Sequence, residues 1–234
     1  MPKLAIVGLG KMGRIVEQLA IDRAWEIVAR IDPHGGGSPA LTRDSLNGAE
    51  VAIEFTTPDA APANIRAAVS AGCPIVVGTT GWDAHRPDIE RFVREMHGAI
   101  LAAPNFSLGV AAFMQIAEAA GAAMRNATGF NVRLTETHHA EKKDAPSGTA
   151  VALARVAGAR LGRDIPIASV RTGTVTGIHE LVFDGPFEQI RLEHVARDRK
   201  AFADGALLAA QWLIGRRGVF TLQDVLSSSA DSRP

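Results

Sequence analysis

One stretch of fourteen residues, ETHHAEKKDAPSGT from Glu136 to Thr149, holds the chain's densest supply of chemistry. It brings two adjacent histidines, His138 and His139, two lysines, Lys142 and Lys143, and the start of an apolar helical pattern into one short segment. A histidine titrates near neutrality and can give or take a proton. Lys142 can attract an anion, and it can donate a proton where burial or a neighbouring cation lowers its pKa. Asp144, Ser147 or Thr149 can cap the helix that follows. The N–H groups of Gly148 and Thr149, at that helix start, suit a carboxylate. Lys143 reads as a solvated charge. A histidine pair alone is more often ordinary surface or core filling, and a serine and glycine at a cap are usually only a cap. The conjunction of all of them points to a site. Zinc is disfavoured, because adjacent histidines point two ways and no cysteine lies near; no metal is expected.

A second constellation opens the chain. Gly8, Gly10 and Gly13, with Leu9, Lys11 and Met12 between them, match G-x-G-x-x-G directly after an apolar run and before a helical pattern. The first glycine allows the turn, the second lets backbone approach a pyrophosphate, and the third lets helix pack on strand. The helix start then offers N–H groups and partial positive charge to phosphates. Asp32 ends the next apolar run, where a carboxylate holds the adenine ribose hydroxyls. The expected cofactor is NADH or NADPH. NADH is favoured, because a carboxylate repels a 2′-phosphate and only Pro33 and His34 follow; Lys11 could reach such a phosphate from the glycine loop.

The elements that must position these groups follow from the pattern. Short apolar runs at 4–7, 26–31, 51–55, 74–77 and 99–102 alternate with helical stretches from Arg14, at 59–71 and at 88–96. Gly8 to Gly13 reads as a tight turn, and HGGGSP at 34–39 as a flexible loop. Strand, turn and helix in repetition imply a parallel sheet covered on both faces. From Pro104 the pattern changes. A long alanine-rich helix at 107–124 precedes a strand at 131–137, a helix at 148–161, and strands at 167–172, 177–183 and 187–194, separated by turn residues. A helix at 199–214 and an apolar run at 219–226 close the chain, and the polar tail from Ser227 is expected to fray. The expected fold is α/β. A Rossmann-like parallel-sheet domain covers 1–105 and 197–234. An α+β substrate and oligomerisation domain with a mixed or antiparallel sheet covers 106–196.

Bulk properties exclude several classes. The chain has 234 residues, with 25 basic side chains against 25 acidic ones. Nucleic-acid binding needs a basic excess or patch, and no basic run here exceeds two residues. The single cysteine, Cys73, allows no intramolecular disulfide and reads as a core residue. No segment has the roughly 20 apolar residues that span a membrane. The start lacks the apolar stretch of a signal peptide, so a cytoplasmic protein with a small-molecule substrate is expected.

The motif H-H-x-x-K-x-D-A-P-S-G-T, matched at every fixed position from His138 to Thr149, resembles the signature of the 4-hydroxy-tetrahydrodipicolinate reductase family. Gly78 to Gly81 (GTTG) resembles the family's nicotinamide-side loop, and Ala103 to Ser107 (APNFS) its hinge and second cofactor loop. Segments from Arg171 to His179, His194 to Arg199 and Phe202 to Ala206 resemble the rest of its substrate domain, so the likeness covers nearly the whole chain. It implies reduction of 4-hydroxy-tetrahydrodipicolinate, by way of dihydrodipicolinate, to tetrahydrodipicolinate in lysine and diaminopimelate biosynthesis. It implies His138 and Lys142 as proton-transfer residues, and His139, Gly148 and Thr149 as binders of a dicarboxylate. Gly8, Gly10, Lys11, Met12, Gly13, Asp32, Gly78, Thr79, Thr80, Ala103, Pro104, Asn105 and Phe106 would line the cofactor. It also implies a homotetramer built through the second domain's sheet. The glycine loop is one residue shorter than in many members, and the segment after Asp32 is compressed. Another two-domain dehydrogenase, for aspartate or homoserine, would share the glycine loop without requiring H-H-x-x-K and S-G-T. A dinucleotide sensor would tolerate loss of His138 and Lys142, and a structural module would have no use for the polar loop.

Overall fold

The computed structural model describes residues 1–228, so the tail from 229 onward lies outside the described residues. It divides into two compact units: Met1–Ser107 with the chain from Phe202 onward, and Leu108–Ala201. The return to the first unit comes at Phe202, later than the expected 197 and two residues into the helix that starts at Lys200.

The first unit begins with β1 (Lys3–Val7), α1 (Lys11–Asp22), β2 (Glu26–Ile31), β3 (Val51–Glu54), α2 (Ala61–Ser70), β4 (Ile75–Val77), α3 (Arg86–Glu95) and β5 (Ala99–Ala102). Every residue of β3, β4 and β5 is buried, as a parallel sheet between helix layers requires. The second unit holds α4 (Leu108–Ala123), β6 (Asn131–His138), α5 (Gly148–Leu161), β7 (Ile167–Arg171), β8 (Gly177–Asp184) and β9 (Gln189–Ala196). Then α6 (Lys200–Leu213), β10 (Gly218–Phe220) and α7 (Leu222–Ser228) complete the first unit.

All pairings in the first sheet are parallel, in the order β10-β5-β4-β3-β1-β2. The chain winds outward from β1 in both directions, so β1 and β3 flank the switch point where a dinucleotide-binding sheet opens its crevice. The expected apolar run at 219–226 is two elements. β10 adds an edge strand to β5, and Thr221 then starts a new helix, with the Asp224 carboxylate reaching back to the Thr221 N–H at 2.7 Å. The glycine turn is also shorter than the expected Gly8–Gly13. Helix α1 starts at Lys11, and Gly13 lies in its first turn, where a Cβ would stand 1.8 Å from the Gly8 carbonyl.

The compressed segment after Asp32 is not a free loop. Ser38 donates its N–H to Arg30 at 2.8 Å and accepts from Asp32 N–H at 2.9 Å, which ties HGGGSP back onto β2. Leu41 and Leu46 beyond it are buried in the first unit's core.

The second sheet is mixed: β7 pairs parallel with β6, while β8 and β9 continue antiparallel in the order β7-β6-β8-β9. Phe113 and Ala117 of α4, Leu134 of β6, Leu153 and Ala157 of α5, and Leu181 and Phe183 of β8 form its core. The small side chains let the two helices approach closely; a Cβ on Gly121 would meet the Ala157 carbonyl at 2.3 Å. Among the described residues, no helix is long and apolar enough to cross a membrane.

Candidate active site

In the first unit, loops at the carboxyl ends of the strands sit side by side because each bonds to its neighbour. Gly8 donates to Ile31, Phe55 to Val7, Gly78 to Glu54 and Ala103 to Val77, at 2.8–3.2 Å. Along this edge runs a cavity of about 430 Å³, lined by Gly8, Gly10, Asp32, His34, Thr56 and Asn64 among others. A second, of about 370 Å³, shares Gly10 and Thr56 and adds Lys11, Met12, Gly78, Thr79 and Thr80. A third, of about 80 Å³, includes Thr79, Thr80, Ala103 and Pro104.

The glycines fit a close approach of backbone to a bound group. A Cβ on Gly8 would collide with the Phe55 carbonyl at 2.1 Å, and one on Gly78 would enter the Phe55 ring. Around Gly10 none of the described residues has an atom within 4 Å of such a Cβ, so this face is open. No side chain caps α1, which leaves its N-terminal N–H groups directed at an anion. Asp32 does more than face the larger cavity. Its Oδ2 accepts from Leu9 N–H at 2.6 Å, and its Oδ1 from His34 and Gly35 N–H at 2.7 and 2.8 Å. Those backbone donors, Leu9 foremost, hold its carboxyl below the usual range. Oδ2, with one donor, keeps a further lone pair for a hydroxyl. Lys11 lines the other cavity, not the one that holds Asp32. Of the remaining expected cofactor residues, Phe106 is buried under Gly205, and the Asn105 side chain accepts from Ser107 N–H at 2.8 Å. Neither lines these three cavities.

In the second unit, the period-two alternation of β6 turns Leu134, Glu136 and His138 to one buried face. The register sets Glu136 beside Ser169 and His179, and His138 beside Arg171. The fully buried Glu136 bonds His138 Nδ1 through Oε2 and accepts from Arg171 Nη2 at 2.7 Å and Ser147 N–H at 3.3 Å through Oε1. Desolvation alone would raise its pKa, but hydrogen bonds from Arg171, Ser169 and His138 outweigh it and bring the carboxyl down to about 2. His138 is shifted below its ordinary value, because burial outweighs the attraction of Glu136, and Lys142 and Arg171 add repulsion. With Glu136 ionised, the neutral ring carries its proton on Nδ1 and presents a lone pair at Nε2. Gly177 leaves room there; a Cβ on it would stand 3.1 Å from Nε2.

Arg171 also shapes the polar loop. Its guanidinium donates to the carbonyls of Asp144 at 2.6 Å and Lys142 at 3.3 Å. Lys142 Nζ bonds both Asp144 carboxylate oxygens, at 2.6 and 2.8 Å. Of the three cap candidates, Ser147 is the one at the N-cap of α5. Its Oγ accepts from Ala150 N–H and lies 3.2 Å from His179 Nε2. Burial, reinforced by His138, lowers His179 to about 4, so its ring is neutral near pH 7. Gly148 is exposed, His139 and Thr149 are half-buried, and Lys143 is exposed.

Two family models match along the chain, one described as dihydrodipicolinate reductase, N-terminus, over residues 2–106, and one as its C-terminus, over 109–226. The chain belongs to the dihydrodipicolinate reductase family. It is 33% identical over 238 residues to a 4-hydroxy-tetrahydrodipicolinate reductase from Christiangramia forsetii, covering 96% of this chain and 97% of that one. It is 34% identical over 265 residues to the reductase of that name from Thiobacillus denitrificans, covering 96% and 98%. In fold it resembles a dihydrodipicolinate reductase from Paenisporosarcina sp. TG-14 solved with dipicolinate bound, with a TM-score of 0.79 at 24% identity over 94% of this chain and 97% of that one.

In this family member the expected residues His138, His139, Lys142, Gly148 and Thr149 all fall in the second unit, around the end of β6 and the start of α5. Sequence reading gave no role to Glu136, Arg171 or His179, although the alternation along β6 places Glu136 with His138. Glu136 should add stability that is present above its ordinary value of 4.5 and is lost as pH falls toward about 2. The gap in urea-unfolding free energy between wild type and Glu136→Gln is expected to be widest near neutrality and to narrow on acidification. A gap constant with pH would remove the ionised carboxylate from this role.

Proposed function

We propose that the chain reduces 4-hydroxy-tetrahydrodipicolinate, by way of its dehydrated ring, to tetrahydrodipicolinate in the route to diaminopimelate and lysine. The observation that carries this reading is the clustering of His138 with Glu136, and of Lys142 with Asp144, beside the capped start of α5. A dicarboxylate is the substrate class that such a loop suits: His139 and the Gly148 and Thr149 N–H groups bind carboxylates at a helix N-terminus, and Lys142 adds charge. The relative solved with dipicolinate, itself a flat ring dicarboxylate, supports the same class.

The open face at Gly10 and the close-fitting glycines around it fit a dinucleotide. Gly8, Gly10, Met12 and Gly13 would hold its pyrophosphate on α1, Asp32 its ribose, and Gly78, Thr79, Thr80 and the 103–106 segment the far end. When bound, the nicotinamide supplies the hydride. The chain's own residues handle the protons. Loss of water from the hydroxylated ring breaks a C–H and a C–O bond: the Nε2 lone pair of neutral His138 takes the carbon-bound proton and returns it to the departing hydroxide, which leaves as water. Hydride addition leaves a carbon to be protonated, and the Lys142 ammonium is the acid, with Asp144 holding it in place. NADH is the preferred donor. Asp32 lines the larger cavity, no lysine or arginine shares that lining, and a carboxylate repels a 2′-phosphate. The assembly is a homotetramer through the second sheet, where Val170, Ile190 and Val195 are exposed apolar side chains that need covering. Sedimentation at the mass of four chains is expected, and a monomer at all concentrations would contradict it.

A coupled assay tests the reaction. Upstream synthase acting on pyruvate and aspartate semialdehyde generates the unstable substrate, and the absorbance of the reduced cofactor is followed. Oxidation should require both synthase and this protein and run faster with NADH than with NADPH. Absence of oxidation by folded protein that binds NADH would contradict the reading. In the same assay Lys142→Ala should lower turnover by about 10²-fold or more, with cofactor affinity little changed. Unchanged turnover would remove Lys142 as the acid.

A further inference from the structure

One ionisable group in the first unit has no part in that chemistry, yet it is completely buried. Glu54 ends β3, and its ladder neighbours on β1 and β4 are Val7 and Val77, both buried and apolar. A third valine would satisfy packing at this position. A carboxyl there costs several kcal/mol to desolvate if it is charged and unpaired. Among the described residues it has no cationic partner. Its Oε1 accepts from the Thr56 hydroxyl, while Oε2 is buried without a hydrogen-bond partner.

What surrounds Glu54 gives it a use. Asn64 Nδ2 donates to Thr56 Oγ1 at 3.3 Å, and Thr56 N–H donates to Thr79 Oγ1 at 2.7 Å. The Glu54 carbonyl accepts from Gly78 N–H at 2.9 Å. Thr56, held by the Glu54 carboxyl, thus ties together the loops after β3 and β4 and the start of α2. Thr56 lines both larger cavities, Asn64 the larger, and Thr79 the second.

We propose that Glu54 is a positioning residue for the dinucleotide: as the uncharged acid it holds the Thr56 hydroxyl, and so fixes the wall that Thr56 and Thr79 form behind the cofactor. The inference rests on the reading of these cavities as the cofactor site. Burial drives the Glu54 carboxyl above its ordinary value, against the hydrogen bond from the Thr56 hydroxyl. A proton on Oε2 removes the cost of a bare buried charge. It also keeps a negative charge away from a diphosphate, which an ionised Glu54 would repel. The groups that face it from β1, β4 and α2 (Val7, Val77 and Asn64) do not titrate. Glu54 lies behind the two cavities, whose charged or ionisable lining side chains among the described residues are Asp32, His34 and Lys11.

The test is NADH binding, followed by fluorescence from about pH 5.5 to about pH 9, for wild type, Glu54→Gln and Glu54→Val, with melting temperatures alongside. Because Asp32, His34 and Lys11 are common to all three, the comparison isolates Glu54. Wild-type affinity should fall as pH rises through the carboxyl's titration. Glu54→Gln should match the low-pH wild type and stay within about twofold across the range. Glu54→Val should bind roughly tenfold or more weakly at every pH without a lower melting temperature, because it loses the partner of Thr56. Wild-type affinity that rises with pH relative to Glu54→Gln would overturn the proposal, and so would Gln binding as weakly as Val. If the valine variant does not fold, the Gln comparison still decides. Absence of NADH binding by folded wild type at every pH would remove the cofactor reading itself.

Discussion

Glu136 is a carboxylate with no exposure to solvent, and several parts of the second unit rest on its staying ionised there. Burying such a charge is costly unless every lone pair finds a donor. Arg171, His138 and the Ser147 N–H answer that demand from three places: an adjacent strand, the same strand two residues on, and the cap of α5. The guanidinium that neutralises Glu136 also grips the carbonyls of Lys142 and Asp144. One ion pair therefore fixes the ring of His138, the start of α5 and the path of the lysine-bearing loop together. The arrangement follows the logic of a carboxylate-oriented histidine, in which the acid selects the tautomer and remains ionised itself.

The first unit solves a different problem, that of backbone crowding. Its strand-end loops bond to one another in sequence across the sheet, and Gly8, Gly13 and Gly78 occupy points where a side chain would strike neighbouring backbone or the Phe55 ring. Asp32 locks the glycine turn through Leu9 N–H before any ligand arrives. Both units place a carboxyl at the end of a strand, but with opposite electrostatics. Glu136 meets a guanidinium and is driven down, whereas Glu54, buried with only the Thr56 hydroxyl as partner among the described residues, is driven up.

Features that depend on neighbours in sequence were legible in it. The glycine loop after β1, the alternating strands and helices, the signature from His138 to Thr149 and the start of α5 at Gly148 all follow from local spacing. What was not legible depends on register between distant strands. Arg171 reaches Glu136 only because β7 pairs parallel with β6, which brings together residues 35 apart in sequence. His179 arrives by an antiparallel pairing with Glu136. The period-two pattern did hold the signal for Glu136, since it shares a face with Leu134 and His138. The three-residue strand β10 was hidden in a single apolar run, because its identity comes from pairing with β5. The segment at 34–39 is glycine-rich and reads as loose, yet Ser38 ties it to β2.

The most direct test of this account is the tautomer of His138, read from the imidazole nitrogen shifts of the labelled protein near neutral pH. An ionised Glu136 that accepts from Nδ1 predicts a neutral ring with its proton on Nδ1 and a bare Nε2. A neutral ring protonated at Nε2 would contradict the account, because Glu136 would then not be the group that orients it.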